Sequence, residues 1–168
     1  MGLAIGARCA ITAPMSKSLK RVRAALIDAG LEDTIRETPL ARTARDAADA
    51  VGCDVDQIAK SIIFAGEDGR VVLFLTAGGN QVDTGKAAAI AGGPLGKADA
   101  ALIRAQTGFA IGGVSPLGHL NPIRAWFDPR LADFSNIWAA AGTPHHVFSC
   151  APGLLMQVSG AVEADFTV

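Results

Sequence analysis

Apolar residues recur at Leu19, Val22, Leu26 and Ala29, in steps of three and four, and this spacing predicts a helix capped by Ser16 and stopped at Gly30. Lys17, Lys20, Arg21 and Arg23 fall on the opposite face, read here as a solvated stripe. Leu31 to Leu40 predicts a connection with one short strand. Thr43-Ala44-Arg45-Asp46 has the form of a capping box with Asp in the glutamate position, opening a helix that runs to Val51 and ends at Gly52. A short turn follows from Asp54 and contains Val55 and Ile58.

The period then changes. Lys60-Ser61-Ile62-Ile63-Phe64 and Val71 to Leu75 flank the turn signal Glu67-Asp68-Gly69-Arg70, which predicts a hairpin with Lys60 at its mouth. Runs this continuously apolar predict strands covered on both faces, by helices on one side and other strands on the other. Asp83 caps a helix through Ile90, and Asp99 starts one through Gln106. Short strands are predicted at Ile123 to Phe127, Ile137 to Ala140 and His146 to Ser149, then a helix from Pro152 to near Gly160. Met1 to Pro14 is unpatterned and reads as an extension of a single domain spanning 15–168, with Met15 as an alternative start.

Composition narrows the class. Half of the 168 residues are hydrophobic and 18% are charged, which suits one well-buried domain. A net charge of −1 gives no global field for a polyanion, so any RNA contact has to be local. Cys9, Cys53 and Cys150 are odd in number and lack a C-x-x-C pair, as expected of thiols in a reducing, cytoplasmic setting. No apolar run has the roughly 18 residues of a membrane span, so no membrane partner is expected.

Candidate chemistry concentrates in Thr107 to His119, where an apolar run enters a loop with Gly112, Gly113, Pro116 and Gly118. Bare glycine amides on a stiff loop suit a carbonyl or phosphate oxygen; the same pattern also suits a plain turn between buried strands. Gly92 to Ala98 fails as a phosphate loop, because Ala91 replaces the first glycine and Ala98 the metal-binding hydroxyl, and it reads as an interhelical turn. Ser115 lacks the Gly-x-Ser-x-Gly context of a nucleophile, since Leu117 follows. His119, His145 and His146 lack the spacing of a helical zinc site.

Lys60-Ser61-Ile62-Ile63-Phe64, then Gly112-Gly113-Val114-Ser115-Pro116-Leu117-Gly118, then Trp138-Ala139-Ala140-Ala141-Gly142-Thr143-Pro144 resemble, in order and spacing, the YbaK/prolyl-tRNA-synthetase-associated editing domain family. The resemblance covers about residues 16 to 165. It implies an α+β fold, a single compact domain whose mixed sheet curls into a partial barrel with surrounding helices. It also implies a free-standing hydrolase that removes wrongly attached amino acids from tRNA, alanine, cysteine or another small residue on prolyl-tRNA. A non-catalytic module that binds a nucleotide or amino acid in the same pocket is the alternative.

By that resemblance Lys60 holds the terminal nucleotide, and the Gly-x-x-x-Pro loop, Gly112 to Pro116, cradles the aminoacyl carbonyl and ribose, with Gly112 and Gly113 as catalytic amides. Val114, Ser115, Pro116, Gly118, His119, Gly142, Thr143, Pro144 and His145 are implied to bind substrate, although His145 equally suits a turn cap. Ala140-Ala141-Gly142 stands where cysteinyl-prolyl-tRNA deacylases have Ser-Gly-Gly, and Thr143-Pro144-His145 resembles the turn of branches acting on alanyl or other small residues. The reaction implied is water attack on an ester, needing no metal, cofactor or protein nucleophile. The partners implied are the 3′ acceptor end of mischarged tRNA and, transiently, an aminoacyl-tRNA synthetase.

Overall fold

The structure is a computed structural model and describes residues 16–168. The expected extension, the Met15 start and Cys9 lie outside the described residues. The element order is α1 (Lys17–Asp28), β1 (Arg36–Glu37), α2 (Ala44–Val51), β2 (Ile58–Gly66), β3 (Val71–Ala77), α3 (Thr84–Ala91), β4 (Leu95–Lys97), α4 (Ala100–Thr107), β5 (Arg124–Phe127), β6 (Ile137–Ala140), β7 (His146–Cys150), α5 (Pro152–Ser159) and β8 (Val162–Glu163). Short 3-10 turns at Val55–Gln57 and Pro129–Asp133 complete it.

Local chemistry sets the helix starts. Ser16 Oγ accepts from Leu19 N, Thr43 and Asp46 form the reciprocal capping box, and Asp83 and Asp99 accept from the first-turn amides of α3 and α4. Each cap of this kind contributes about 1 kcal/mol. α5 has no side-chain cap and starts instead with Pro152, whose missing N–H would have been unpaired there anyway.

The sheet is mixed and open, in the order β1-β7-β6-β2-β3-β5-β8, with β4 added to β2 off that path. β2 and β3 form the expected hairpin, with Lys60 opposite Thr76 and Ile62 opposite Phe74. β3 is buried along its whole length, and its alternate residues serve two cores. Leu73 and Leu75 pack with α1, α4 and α5 through Val22, Ile103 and Leu155. Val72 and Phe74 pack with Trp126, Ala87 of α3 and Phe166 near the C-terminus. Phe74 stacks on Trp126 at 4.9 Å between centroids and meets Phe166 edge-on at 4.9 Å. A third cluster joins Ala47 and Ala48 of α2 to Ile58 and Trp138.

Three expectations are corrected here. Both faces of the sheet carry helices, and no second layer of strands covers it among the described residues, because α2, α3 and the C-terminal segment close the face that α1, α4 and α5 leave open. The Gly92 to Ala98 turn contains β4, whose three residues pair with Phe64 to Gly66. Lys60 is the third residue of β2 rather than the mouth of the strand, since pairing begins at Ile58.

Candidate functional site

β2 has an interrupted edge. On the side away from β3 it pairs with β6 at Ile58 and Ala59 and with β4 at Phe64 to Gly66, so residues 60–63 have no strand beside them. Lys60, Ser61 and Ile62 line a cavity of about 600 Å³ at this break. Gly112 and Val114 of the central loop, and Thr143, Pro144 and His146 of the β6–β7 connection, line it as well. Trp138 and the first turn of α2 with Arg42 and Arg45 also reach it.

The Lys60 ammonium donates to the carbonyl oxygen of Asn80 at 2.5 Å. That loop is fixed from beneath: Asp56 Oδ1 accepts from Gly79 N at 2.8 Å, and the buried Asp128 carboxylate accepts from Ala77 N at 3.0 Å and Asn80 Nδ2 at 2.9 Å. Gly78 and Gly79 have no room for a side chain against Val55 O and Asp56 Oδ1. Burial lowers the Lys60 pKa below its ordinary value, while the Asp128 and Asp56 charges oppose that shift.

The central loop is stitched to β2 by Ser61 Oγ, which donates to Val114 O at 2.7 Å. Gly113 N donates to Ala110 O at 3.0 Å, closing a turn, so this amide is already used. Gly112 sits at φ +87°, a conformation that favours glycine, and the amides of Gly112 and Val114 donate to no acceptor among the described residues. Gly113 is where the two loops touch: a Cβ there would lie 2.8 Å from Thr143 Cα.

The residues expected to bind substrate therefore divide. Lys60, Gly112, Val114, Thr143 and Pro144 share the cavity wall. Ser115, Pro116, Gly118 and His119 do not line it; Ser115 is fully buried, and its Oγ accepts from Leu117 N at 3.3 Å. His119 Nε2 donates to Ser115 O at 2.6 Å and its ring meets Phe109 edge-on, so it braces the loop from behind. Burial pushes the His119 pKa down; the Ser115 carbonyl opposes this and the Arg21 charge adds to it. Gly142, at φ +96°, turns toward α1, where a Cβ would meet Ser18 O at 2.8 Å. His145 is exposed, and its N–H donates to Thr143 Oγ1 at 3.1 Å.

His146, Trp138, Arg42 and Arg45 line the cavity without having been singled out. His146 Nδ1 lies 2.7 Å from Thr143 Oγ1, and its pKa is lowered by burial, raised by Glu37 and lowered again by His145 and Arg23. Two adjacent histidines after a turn give the sequence no means of saying which one faces inward. The capping box at Thr43 did mark where α2 begins, but not that its first turn overhangs β2.

On the α1 stripe Lys17 and Lys20 are exposed as expected, whereas Arg21 and Arg23 are half-buried and engaged, which corrects the solvated reading for those two. Arg21 Nε donates to Gly118 O at 2.7 Å, its Nη2 donates to Gly108 O at 2.8 Å, and its guanidinium lies 4.5 Å from the Phe109 ring centroid. Arg23 pairs with Asp33 at 2.8 Å.

Residues 38–157 match the aminoacyl-tRNA editing domain, and the chain belongs to that family. Over 143 residues it is 29% identical to the uncharacterized protein YwhH of Bacillus subtilis (strain 168), covering 84% of this chain and 91% of that one. A crystal structure described as a candidate trans-editing enzyme for prolyl tRNA synthetase superposes with a TM-score of 0.86 at 44% identity, over 92% of this chain and 99% of that one. The hypothetical protein APE2540 shares the fold, with a TM-score of 0.80 at 24% identity over 88% of this chain and 99% of that one. No helix among the described residues is long and apolar enough to cross a membrane.

Proposed function

We propose that the protein is a trans-editing deacylase that hydrolyses the ester of prolyl-tRNA mischarged with alanine, cysteine or another small residue. The observation that carries this reading is the cavity wall at one break in the sheet, which Lys60 shares with Gly112 and Val114, whose amides donate to no acceptor among the described residues. The ammonium is suited to a phosphate of the 3′-terminal nucleotide. Arg42 and Arg45 at the rim add local positive charge that the whole chain lacks.

An aminoacyl ester is already activated, so orienting one water and stabilising the oxyanion suffices, with the neighbouring 2′-hydroxyl assisting. Gly112 and Val114 supply the oxyanion donors, and Gly113 instead shapes the turn that presents them. Ser115 is sealed from the cavity and takes no part as a nucleophile. The similarity to a candidate trans-editing enzyme for prolyl tRNA synthetase supports the choice of tRNA.

The test is a deacylation panel of alanyl-, cysteinyl- and seryl-tRNA(Pro) against correctly charged prolyl-tRNA. Release above the spontaneous rate from at least one mischarged species is expected, with prolyl-tRNA spared. Tight binding without release from any of them would replace this reading with a non-catalytic binding module.

A further inference from the structure

We propose that Arg21 is a positioning residue for the editing site, holding the central loop in register by gripping both of its ends from α1. The proposal rests on the deacylase reading above. It concerns a residue outside the matched segment 38–157, on an element whose exposed face the sequence would assign to solvent.

The guanidinium spans the loop rather than one residue of it. Gly108 O and Gly118 O lie ten positions apart in sequence, and the two donors of one planar group reach both, at 2.8 and 2.7 Å. Phe109 packs beneath the same group, and partial burial lowers the Arg21 pKa by desolvation. The fit is tight at the Gly108 end, where an added side chain would collide with Arg21 Nη2, while the Gly118 end lies in ordinary contact with the α1 backbone at Arg21.

The grip extends to the second loop. Gly142 approaches Ser18 O one turn earlier on α1, and Gly113 rests on Thr143, so the helix, the central loop and the β6–β7 connection form one close-packed stack. The Gly112 and Val114 amides belong to the segment between the two gripped carbonyls. Displacing catalytic donors by about 1 Å costs up to about a hundredfold in rate. Lysine is a poor substitute, because one ammonium point cannot reproduce a planar fork aimed at two carbonyls.

The experiment compares Arg21→Lys with Leu26→Ala, a change in the buried core of the same helix. For Arg21→Lys the expected result is a kcat lowered by about tenfold or more with KM nearly unchanged, and faster hydrogen exchange in 108–118 while β3 stays protected. Leu26→Ala is expected to lower Tm further yet keep its kcat and slow loop exchange. Unchanged loop exchange in Arg21→Lys, a kcat equal to wild type, or an equal kcat loss in Leu26→Ala would each overturn the assignment. A wild-type protein that releases no amino acid from any tRNA would refute the deacylase reading, and with it a role for Arg21 in catalysis; the exchange data would then report only whether the grip exists.

Discussion

Lys60 Nζ lies 2.5 Å from the carbonyl oxygen of Asn80, and this bond orients the ammonium without neutralising it. The nearby carboxylates of Asp56 and Asp128 are committed to main-chain amides of the same loop. An ammonium carries three N–H donors, so two remain to meet a phosphate. Lys60→Ala should therefore reduce deacylation by about a hundredfold or more, on the order of 3 kcal/mol, in a single-turnover assay. Its melting temperature should stay close to wild type, and a folded variant with near-normal turnover would remove Lys60 from the site.

A pH prediction follows from burial at the same residue. The Lys60 pKa is lowered from 10.5, first by desolvation and against the pull of Asp128 and Asp56. Between the lowered folded value and 10.5 the unfolded chain binds more protons, so this group makes stability rise with pH across that window; below it the cost of the buried charge is fully present. Activity that needs the charged form should fall on the alkaline side at a pH below 10.5. NMR titration of the lysine ε-methylene signals checks the shift, and a midpoint at or above the ordinary value would contradict it.

Two glycine substitutions separate the donors from their support. Gly112→Ala meets open space but must hold φ +87°, a strain of about 1–2 kcal/mol for an L-residue. It should mainly lower kcat, by about a hundredfold where an oxyanion donor is displaced. Gly113→Ala would press on the Thr143 backbone at 2.8 Å and should lose stability together with activity. Thermal melts beside kinetics distinguish the two, and a Gly113→Ala protein as stable as wild type would show that the loops are not in contact.

Ser115→Ala should keep most of the activity. The hydroxyl is buried and, among the described residues, accepts from Leu117 N alone, so its removal costs about 1–3 kcal/mol for the amide left unpaired and nothing chemical. Intact-protein mass spectrometry during turnover should show no aminoacyl adduct. An inactive, folded Ser115→Ala with a trapped adduct would reverse the mechanism.

The elements legible in the sequence were those whose cause is local. The Ser16, Thr43, Asp83 and Asp99 caps, the Leu19, Val22 and Leu26 stripe and the Asp68-Gly69 turn each announce themselves within a few residues. β4 and β8 were not legible, because three and two residues gain strand character only from distant partners, Phe64 to Gly66 and Trp126 to Phe127. The site shows the same division. Lys60 and the Gly112–Pro116 loop carry a recognisable pattern, whereas the inward side of that loop depends on what lies behind it. Ser115 and His119 turn away because Leu117 N and Phe109 receive them there. Arg21 was misplaced for a related reason: helical periodicity says which face is polar, and cannot say that a loop 87 residues later will lie across it.

The break in the outer edge of β2 also bears on how such a pocket diversifies. Its two banks, β4 and β6, come from separate stretches of chain and pair with different ends of the strand. Extending either bank by one pair would narrow the opening, and shortening it would widen the opening, in both cases without replacing Lys60 or the central loop. Tolerance for a bulkier or smaller guest can thus be inherited through strand length, a property usually assigned to scaffold, while the chemistry at the break stays as it is.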